Sequence, residues 1–182
     1  MACAQRQSGR LAVLYVCPWH EVEAHVEDLG ATHVISLLGV EGDPDTPRGI
    51  DDSRHLHLEL DDIAGPVGGY IVPDRGHVDE LLQFARAWDR GGPLIVHCYA
   101  GISRSTAAAL AVMCLFNPGH EVAAARQLRQ RAPFAQPNRR LLATADRQLG
   151  LEGRLVRAVD DLGPRPQAKT MGRLVELSVR LP

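Results

Sequence analysis

The fold is decided by the stretch Pro93-Leu94-Ile95-Val96-His97-Cys98-Tyr99-Ala100-Gly101-Ile102-Ser103-Arg104-Ser105-Thr106-Ala107-Ala108-Ala109-Leu110. It begins with a short apolar, partly β-branched run, which predicts a buried strand. It ends in an alanine-rich segment of high helix propensity. The loop between the two has Cys98 at one end and Arg104 at the other. The sequence therefore predicts a strand, a tight loop and a helix N-terminus in direct succession.

The physical chemistry of this loop predicts an oxyanion site. Backbone N–H groups at the start of a helix are unpaired, and the helix dipole adds partial positive charge there. Gly101 allows the backbone to turn close to a ligand, and the planar fork of Arg104 matches two phosphate oxygens. The same positive surroundings favour the thiolate of Cys98 over the thiol. An anion cradle with a thiolate at its floor is suited to attack on phosphorus.

At these residues the chain resembles a known family. His97-Cys98-x-x-Gly101-x-x-Arg104-Ser105 resembles the signature His-Cys-x-x-Gly-x-x-Arg-Ser/Thr of the cysteine-dependent protein tyrosine phosphatases. The residues from Ala100 to Ser105 are most similar to the dual-specificity branch and its small bacterial relatives. A later Pro-Asn segment followed by a helix is also similar, so the resemblance covers roughly residues 56–149. It implies a hydrolase that cleaves phosphate monoesters through a phosphocysteine intermediate, with no metal, nucleotide or other cofactor.

The resemblance also implies a role for each residue of the loop. Cys98 is the nucleophile, and Arg104 binds the phosphoryl oxygens. Ser105 eases departure of the thiolate in the second step, and His97 hydrogen-bonds the loop. The predicted substrate-binding residues are those of the cradle itself: Tyr99, Ala100, Gly101, Ile102, Ser103 and Arg104.

The leaving group of a phosphate monoester needs a proton donor. In the family this donor is an Asp on a loop that follows a strand upstream of the cysteine. Two candidates, Asp61 and Asp62, follow the alternating run of residues 55–60. Alternation places Asp62 in phase with the apolar Leu58 and Leu60, toward the interior, so we favour Asp62 and keep Asp61 as the alternative.

The rest of the chain predicts an α/β fold. Apolar runs at 11–17 and 32–38 flank a helical pattern at 19–29, and this order favours parallel strands with a helical crossover. We predict one domain with a central, mostly parallel sheet of about four to five strands flanked by helices, and a phosphate-binding loop between the last core strand and a buried helix. The predicted limits are a flexible N-terminus at 1–10, a phosphatase domain at 11–162, and a tail or packing arm at 163–182. The further predicted helices cover 74–88, 107–116 after Arg104, 120–131, in which Val122, Ala123 and Leu128 face inward, and 151–162.

Composition excludes several classes of protein. The 182 residues are 45% apolar and 23% charged with a net charge of −2, as in an ordinary soluble domain, and nothing predicts a nucleic-acid or membrane partner. Residues 1–125 carry 8 basic and 17 acidic side chains and residues 126–182 carry 12 and 5, which favours basic helices packing on an acidic body. Four cysteines without a Cys-x-x-Cys pair predict a reducing, cytoplasmic location, and eight scattered histidines predict no metal site. The near-exclusive use of Arg over Lys is typical of a GC-rich, bacterial genome.

The sequence constrains the substrate less than it constrains the reaction, and it leaves alternative functions open. Four loop positions, Tyr99, Ala100, Ile102 and Ser103, carry no cation. This favours phosphotyrosine in a protein or peptide as the substrate over a polyanion. Dual specificity, which adds phosphoserine and phosphothreonine, stays open. Three alternatives remain. The chain is a phosphatase for a non-protein phosphate ester, a non-catalytic phosphoprotein-binding module with phosphate or another oxyanion in the loop, or a thiol redox protein. A reversible disulfide between Cys17 and Cys98 is a further hypothesis. The oligomeric state is open.

Overall fold

A computed structural model of the chain describes residues 12–163 and 171–181, so the predicted flexible segment at 1–10 lies outside the described residues. Its centre is a five-stranded sheet. The strands are β1 (Val13–Pro18), β2 (His33–Leu38), β3 (His55–Glu59), β4 (Leu94–Cys98) and β5 (Val175–Ser178). In the order β3-β2-β4-β1-β5, the first four run parallel, and β5 is antiparallel to β1.

The apolar runs read from the sequence occupy the middle of the sheet. Every residue of β2 and β4 is buried, as expected for parallel strands covered on both faces. The alternating run forms the edge strand β3, of which only Leu58 is fully buried. The sheet therefore presents the C-terminal end of β4, and with it Cys98, between β1 and β2.

In residues 12–163 and 171–181, six helices cover the sheet. α1 (Val22–Leu29) follows a short 3-10 turn at Trp19–Glu21 and ends at Gly30, whose φ of 61° provides the left-handed cap. A second 3-10 turn, Asp52–Arg54, precedes β3. The Asp74 side chain accepts the His77 N–H and begins the second helix, as its sequence position predicts. The remaining helices are α2 (Arg75–Ala87), α3 (Arg104–Phe116), α4 (Glu121–Arg131), α5 (Arg139–Gln148) and α6 (Arg154–Asp160).

The two faces of the sheet are packed unequally. A large core joins one face to α2, α3, α4, α5 and α6, while α1 covers a small core on the other face. α3 lies at the centre of the large core, because all its residues from Arg104 to Cys114 are buried. A buried helix cannot shift easily, so its N-terminus is a rigid support for the loop that precedes it. The α/β fold predicted from the sequence is confirmed.

The C-terminal segment departs from the sequence-based limits. It was predicted as a tail or packing arm outside the domain, but Val175 and Leu177 pair with Val16 and Leu14 of β1 and complete the sheet. A second difference is in α4, where Val122 was predicted to face inward and is instead 49% exposed. The buried face of α4 is formed by Ala124, Ala125 and Leu128. No helix in the described part of the chain is long and apolar enough to cross a lipid bilayer.

Candidate active site

A pocket of about 300 Å³ opens where β4 ends and α3 begins. Cys98 lies at its floor and is 2% exposed. The lining residues come from four separate segments of the chain: Glu41, Asp62, the loop residues Cys98, Tyr99, Ala100, Ile102, Ser103 and Arg104, and Gln136. Most of the loop residues predicted from the sequence therefore meet in one pocket, and Glu41 and Gln136 are additions that the sequence did not identify.

The loop backbone is fixed by its carbonyl groups. The carbonyl oxygens of Tyr99 and Ala100 accept N–H groups from Trp19 and Gly172, and those of Ile102 and Ser103 accept N–H groups from Gln136 and Asn138. In a trans peptide the carbonyl and the following N–H point in opposite directions. With four carbonyls bonded to the surrounding protein, the N–H groups that follow them point toward the pocket, as an anion cradle requires.

Gly101 is the residue on which the loop shape depends. Its φ is 68°, in the left-handed region. A Cβ at this position would lie 2.7 Å from the carbonyl carbon of Cys17 and 2.7 Å from the nitrogen of Pro18. Both contacts are with the backbone of β1, which cannot yield as a flexible side chain would. Only glycine satisfies the conformation and the close approach together.

Replacing Gly101 by alanine is expected to distort the cradle. The left-handed conformation alone costs roughly 1–2 kcal/mol for a residue with a Cβ, and the backbone clash adds to it. We expect a lower free energy of unfolding in urea and loss of oxyanion binding measured by calorimetry. The matched control is Gly65→Ala, since a Cβ there meets no atom within 4 Å. Equal stability of the two variants would contradict this account of the loop.

Arg104 is buried and held from one side. Its Nη1 donates to Glu41 Oε2 and to the Leu60 carbonyl, both at 3.0 Å, and its Nη2 donates to Glu41 Oε1. Its Nε is buried and has no hydrogen-bond partner among the described residues. Because Nε and Nη2 share one edge of the planar guanidinium, this edge is the one suited to two oxygens of a bound oxyanion.

Glu41 is the acidic partner of this arginine. Burial on its own would raise the pKa of Glu41, but hydrogen bonds from Arg104 and the Gly39 N–H outweigh it and hold the pKa below its usual value. Burial would likewise lower the pKa of Arg104, and the Glu41 carboxylate raises it. The pair therefore stays ionised, and Glu41 orients the guanidinium. No pattern in the sequence marks Glu41, because it lies in a Gly-, Asp- and Pro-rich loop without periodicity.

The Cys98 sulfur has one side-chain neighbour of catalytic interest. The Ser105 hydroxyl lies 3.2 Å from Sγ, at the position expected from the resemblance. On the opposite side of β4, His97 Nε2 lies 2.5 Å from the Ser36 hydroxyl, which is 2.7 Å from His55 Nε2. This chain of hydrogen bonds holds His97 through neighbouring strands, whereas the resemblance implies hydrogen bonds from His97 to the loop.

His97 makes the fold sensitive to acid. Burial, with the nearby charges of His55, His57 and Arg104, lowers the pKa of His97 to about 3. In the unfolded chain this histidine has a pKa of ~6.5, so below that pH the unfolded state binds more protons than the folded state. The stability contributed by His97 is therefore fully present above that pH and is lost as the pH falls toward 3. We expect the free energy of unfolding to drop by about 2 kcal/mol between pH 7 and pH 5 from this group.

The measurement is urea unfolding at both pH values. In His97→Gln this contribution to the pH dependence should disappear. The control, His20→Gln, removes an exposed imidazole, whose side chain is 63% accessible, and should keep the wild-type dependence. An unchanged pH dependence in His97→Gln would show that another group is responsible.

The two aspartates have different surroundings. Asp62 is exposed and lines the pocket, and its Oδ1 accepts hydrogen bonds from the Ser103 hydroxyl at 2.6 Å and Asn138 Nδ2 at 2.7 Å. Asp61 is 2% exposed and lies outside the pocket lining. The favoured residue is therefore the one that lines the pocket with Cys98, but the reason given from alternation is wrong: β3 ends at Glu59, and beyond it Asp61 is buried while Asp62 is exposed.

Cys17 is poorly placed to pair with Cys98. It lies in register with His97, and neighbouring residues of a strand point to opposite faces. Cys17 accordingly packs in the small core on the α1 side, while Cys98 belongs to the large core. Both thiols are free, and burial raises the pKa of Cys17. This geometry speaks against the disulfide hypothesis. The fourth cysteine, Cys3, lies outside the described residues.

The fold and this loop define a class. The chain has the dual-specificity form of the cysteine-dependent protein tyrosine phosphatase fold, so the resemblance found in the sequence is confirmed at the level of the fold. No protein-family model and no curated protein matches the chain.

Three solved structures illustrate the similarity. DUSP15 is 21% identical over 84% of this chain and 94% of its own, with a TM-score of 0.61. The Yvh1 phosphatase domain from Chaetomium thermophilum is 19% identical over 81% of this chain and 96% of its own, with a TM-score of 0.58. PTPMT1 in complex with PI(5)P is 18% identical over 76% and 90%, with a TM-score of 0.53.

Proposed function

We propose that the chain is a cysteine-dependent phosphatase that hydrolyses phosphate monoesters, with phosphotyrosine in proteins or peptides as its substrate. The observation that carries the proposal is the buried Arg104 Nε, which has no partner among the described residues and belongs to a pocket with Cys98 at its floor. A buried donor without a partner is unfavourable unless a ligand satisfies it, and a phosphoryl oxygen suits a guanidinium.

In the first step the Cys98 thiolate attacks phosphorus. A bond forms between Sγ and phosphorus, and the bond from phosphorus to the leaving oxygen breaks. Asp62 gives its proton to that oxygen, so that an alcohol or phenol departs. Arg104 and the inward N–H groups of the loop bind the phosphoryl oxygens as the geometry at phosphorus flattens, which stabilises the transition state more than the substrate.

In the second step water attacks the phosphocysteine. The Asp62 carboxylate takes a proton from the water, the new oxygen bonds to phosphorus, and the bond to Sγ breaks. The Ser105 hydroxyl, 3.2 Å from the sulfur, donates to the departing thiolate and lowers its energy. Phosphate leaves, and Asp62 is again protonated for the next cycle.

Phosphotyrosine is favoured over polyanionic substrates by the charges of the pocket. Among the described residues, its lining contains two carboxylates, Glu41 and Asp62, and Arg104 as its one cation. A substrate with further phosphate groups would meet these carboxylates without compensating charge. Hydrolysis of phosphoserine and phosphothreonine, and of a non-protein ester such as a phosphoinositide, is the alternative to be tested.

The deciding experiment is hydrolysis of p-nitrophenyl phosphate by the purified chain. We expect turnover that vanadate inhibits and that EDTA leaves unchanged, followed by turnover of phosphotyrosine peptides. A non-catalytic binding module would bind phosphate or vanadate without releasing p-nitrophenol. If a phosphoinositide were hydrolysed better than phosphotyrosine peptides, the proposed reaction would stand but the proposed substrate would be refuted.

A further inference from the structure

The exposed apolar side chains of the protein are concentrated around the pocket. In residues 12–163 and 171–181, seven large apolar side chains are exposed. One of them, Val122, lies on α4. The other six lie in segments that line the pocket or are bonded to it, and we name them the apolar rim: Val40, Val67, Tyr70, Ile71, Tyr99 and Met171.

One half of the apolar rim is held together by Asp61. The buried carboxylate of Asp61 accepts the Val40 N–H at 2.9 Å through Oδ1 and the Ile71 N–H at 2.6 Å through Oδ2. Two loops that are far apart in sequence are thus joined beside the pocket, since the residues that follow Val40 and Asp61 are the lining residues Glu41 and Asp62. The buried carboxylate of Asp61 therefore fixes the positions of Val40 and Ile71, two exposed apolar residues of the rim.

The other half of the rim borders the cradle loop itself. Tyr99 is 48% exposed and lines the pocket. Met171 is 40% exposed, and the Gly172 N–H that follows it donates to the Ala100 carbonyl at 2.8 Å. Tyr99 therefore lines the pocket itself, while the other residues of the apolar rim lie in segments that adjoin the lining residues or the cradle. Clustered exposed apolar residues of this kind mark interaction sites in soluble proteins.

The charges at the same place restrict what the rim can accept. Glu41 and Asp62 line the pocket, and Arg104, the one cation among the described lining residues, is already paired with Glu41. The exposed Arg173 lies outside the lining, over the Phe134 ring. Acidic residues beside the phosphorylated residue would face these carboxylates at close range. Apolar side chains would instead lose contact with water against the rim.

We propose that the apolar rim binds the residues flanking phosphotyrosine in the substrate protein and selects apolar flanks over acidic ones. This inference rests on the proposed function and adds the sequence context of its substrate. A membrane surface fits less well, because adsorption to anionic lipid requires basic side chains at the contact. The carboxylates that line the pocket oppose such adsorption.

The test uses phosphotyrosine peptides of equal length whose flanking residues are leucine and valine, serine, or aspartate. We expect kcat/KM to be about tenfold higher with apolar flanks than with serine and lowest with aspartate. Tenfold corresponds to about 1.4 kcal/mol, which partial burial of one large side chain can supply. Val40→Ser combined with Ile71→Ser should bring the ratio of apolar to serine peptides close to one, while Val122→Ser on α4 keeps it.

Because a ratio is measured, a smaller fraction of active enzyme in a variant cancels out. An unchanged ratio in the rim variant, a preference for aspartate, or turnover that rises with anionic phospholipid vesicles would each overturn the inference. These outcomes are separate from failure of the proposed function. If the wild-type protein hydrolyses p-nitrophenyl phosphate but has the same kcat/KM for all the peptides, only the inference about the apolar rim is refuted. If no hydrolysis is observed at all, the proposed phosphatase function is refuted.

Discussion

Replacing Cys98 by serine is expected to reduce turnover of an aryl phosphate by a factor on the order of 10⁴ or more. The hydroxyl of serine keeps its proton near neutral pH, so it is a far weaker nucleophile than a thiolate. The cradle N–H groups and Arg104 remain, so binding of phosphate and of a phosphotyrosine peptide should persist. The measurements are steady-state kinetics with p-nitrophenyl phosphate and calorimetric titration with the peptide.

Cys114→Ser is the matched control for this variant. Cys114 is a buried thiol of α3 outside the pocket, and burial raises its pKa to about 12, so it has no part in the reaction. Turnover should therefore survive this replacement. Full activity of Cys98→Ser would remove the nucleophile from the mechanism, and loss of peptide binding in that variant would show that the sulfur also holds the substrate.

Replacing Asp62 by alanine is expected to lower kcat in proportion to the basicity of the leaving group. A positioned general acid contributes roughly 10²–10⁴-fold when the leaving oxygen needs a proton. Phosphotyrosine or phenyl phosphate should therefore lose most, and p-nitrophenyl phosphate, whose leaving group departs readily, should lose least. The measurement is kcat for a series of aryl phosphates with leaving groups of increasing pKa.

Asp61→Asn distinguishes the two neighbouring carboxyl groups. Asp61 accepts two backbone N–H groups while buried, and an amide can accept only one of them and would turn its own donor toward the other. We expect a loss of about 1–3 kcal/mol in the free energy of unfolding, with no dependence of kcat on the leaving group. A leaving-group dependence in Asp61→Asn and none in Asp62→Ala would reverse the assignment.

The cradle was predictable because its elements are consecutive. The apolar strand, the glycine and the helix that begins at Arg104 follow one another in the chain, although distant residues complete the loop through hydrogen bonds to its carbonyl groups. Predicting Asp62 was different. Its position in the pocket depends on hydrogen bonds from Ser103 and Asn138, which come from other parts of the chain, and alternation along β3 holds no information about them.

The parts that sequence analysis missed depend on contacts between distant segments. Glu41 reaches Arg104 across 63 positions, and Ser36 reaches His97 across 61. Glu41 lies in an irregular loop where no pattern marks it, whereas Ser36 interrupts an apolar strand. The small residue Ser36 in the buried β2 was a usable signal: a buried hydroxyl needs a partner, and the parallel strand β4 offers His97.

β5 was missed for a related reason. It has four residues, too few for a periodic pattern, and it follows a proline-containing stretch that indicates a tail. It forms a strand because it pairs with the free edge of β1, and the side chains of Val175 and Leu177 are buried there. A short segment can become a strand because an open edge offers unpaired backbone groups, and this condition is invisible in the segment itself.

The late position of β5 in the chain has a consequence for biosynthesis. Every other element of the sheet and the whole pocket lining precede it, so a growing polypeptide on the ribosome carries the complete phosphate loop before the last strand has been made. Until then the edge of β1 is uncovered, and the Ala100 carbonyl lacks the amide of Gly172. Stalled nascent chains that end before Gly172 should therefore be poorer catalysts than chains that extend past β5.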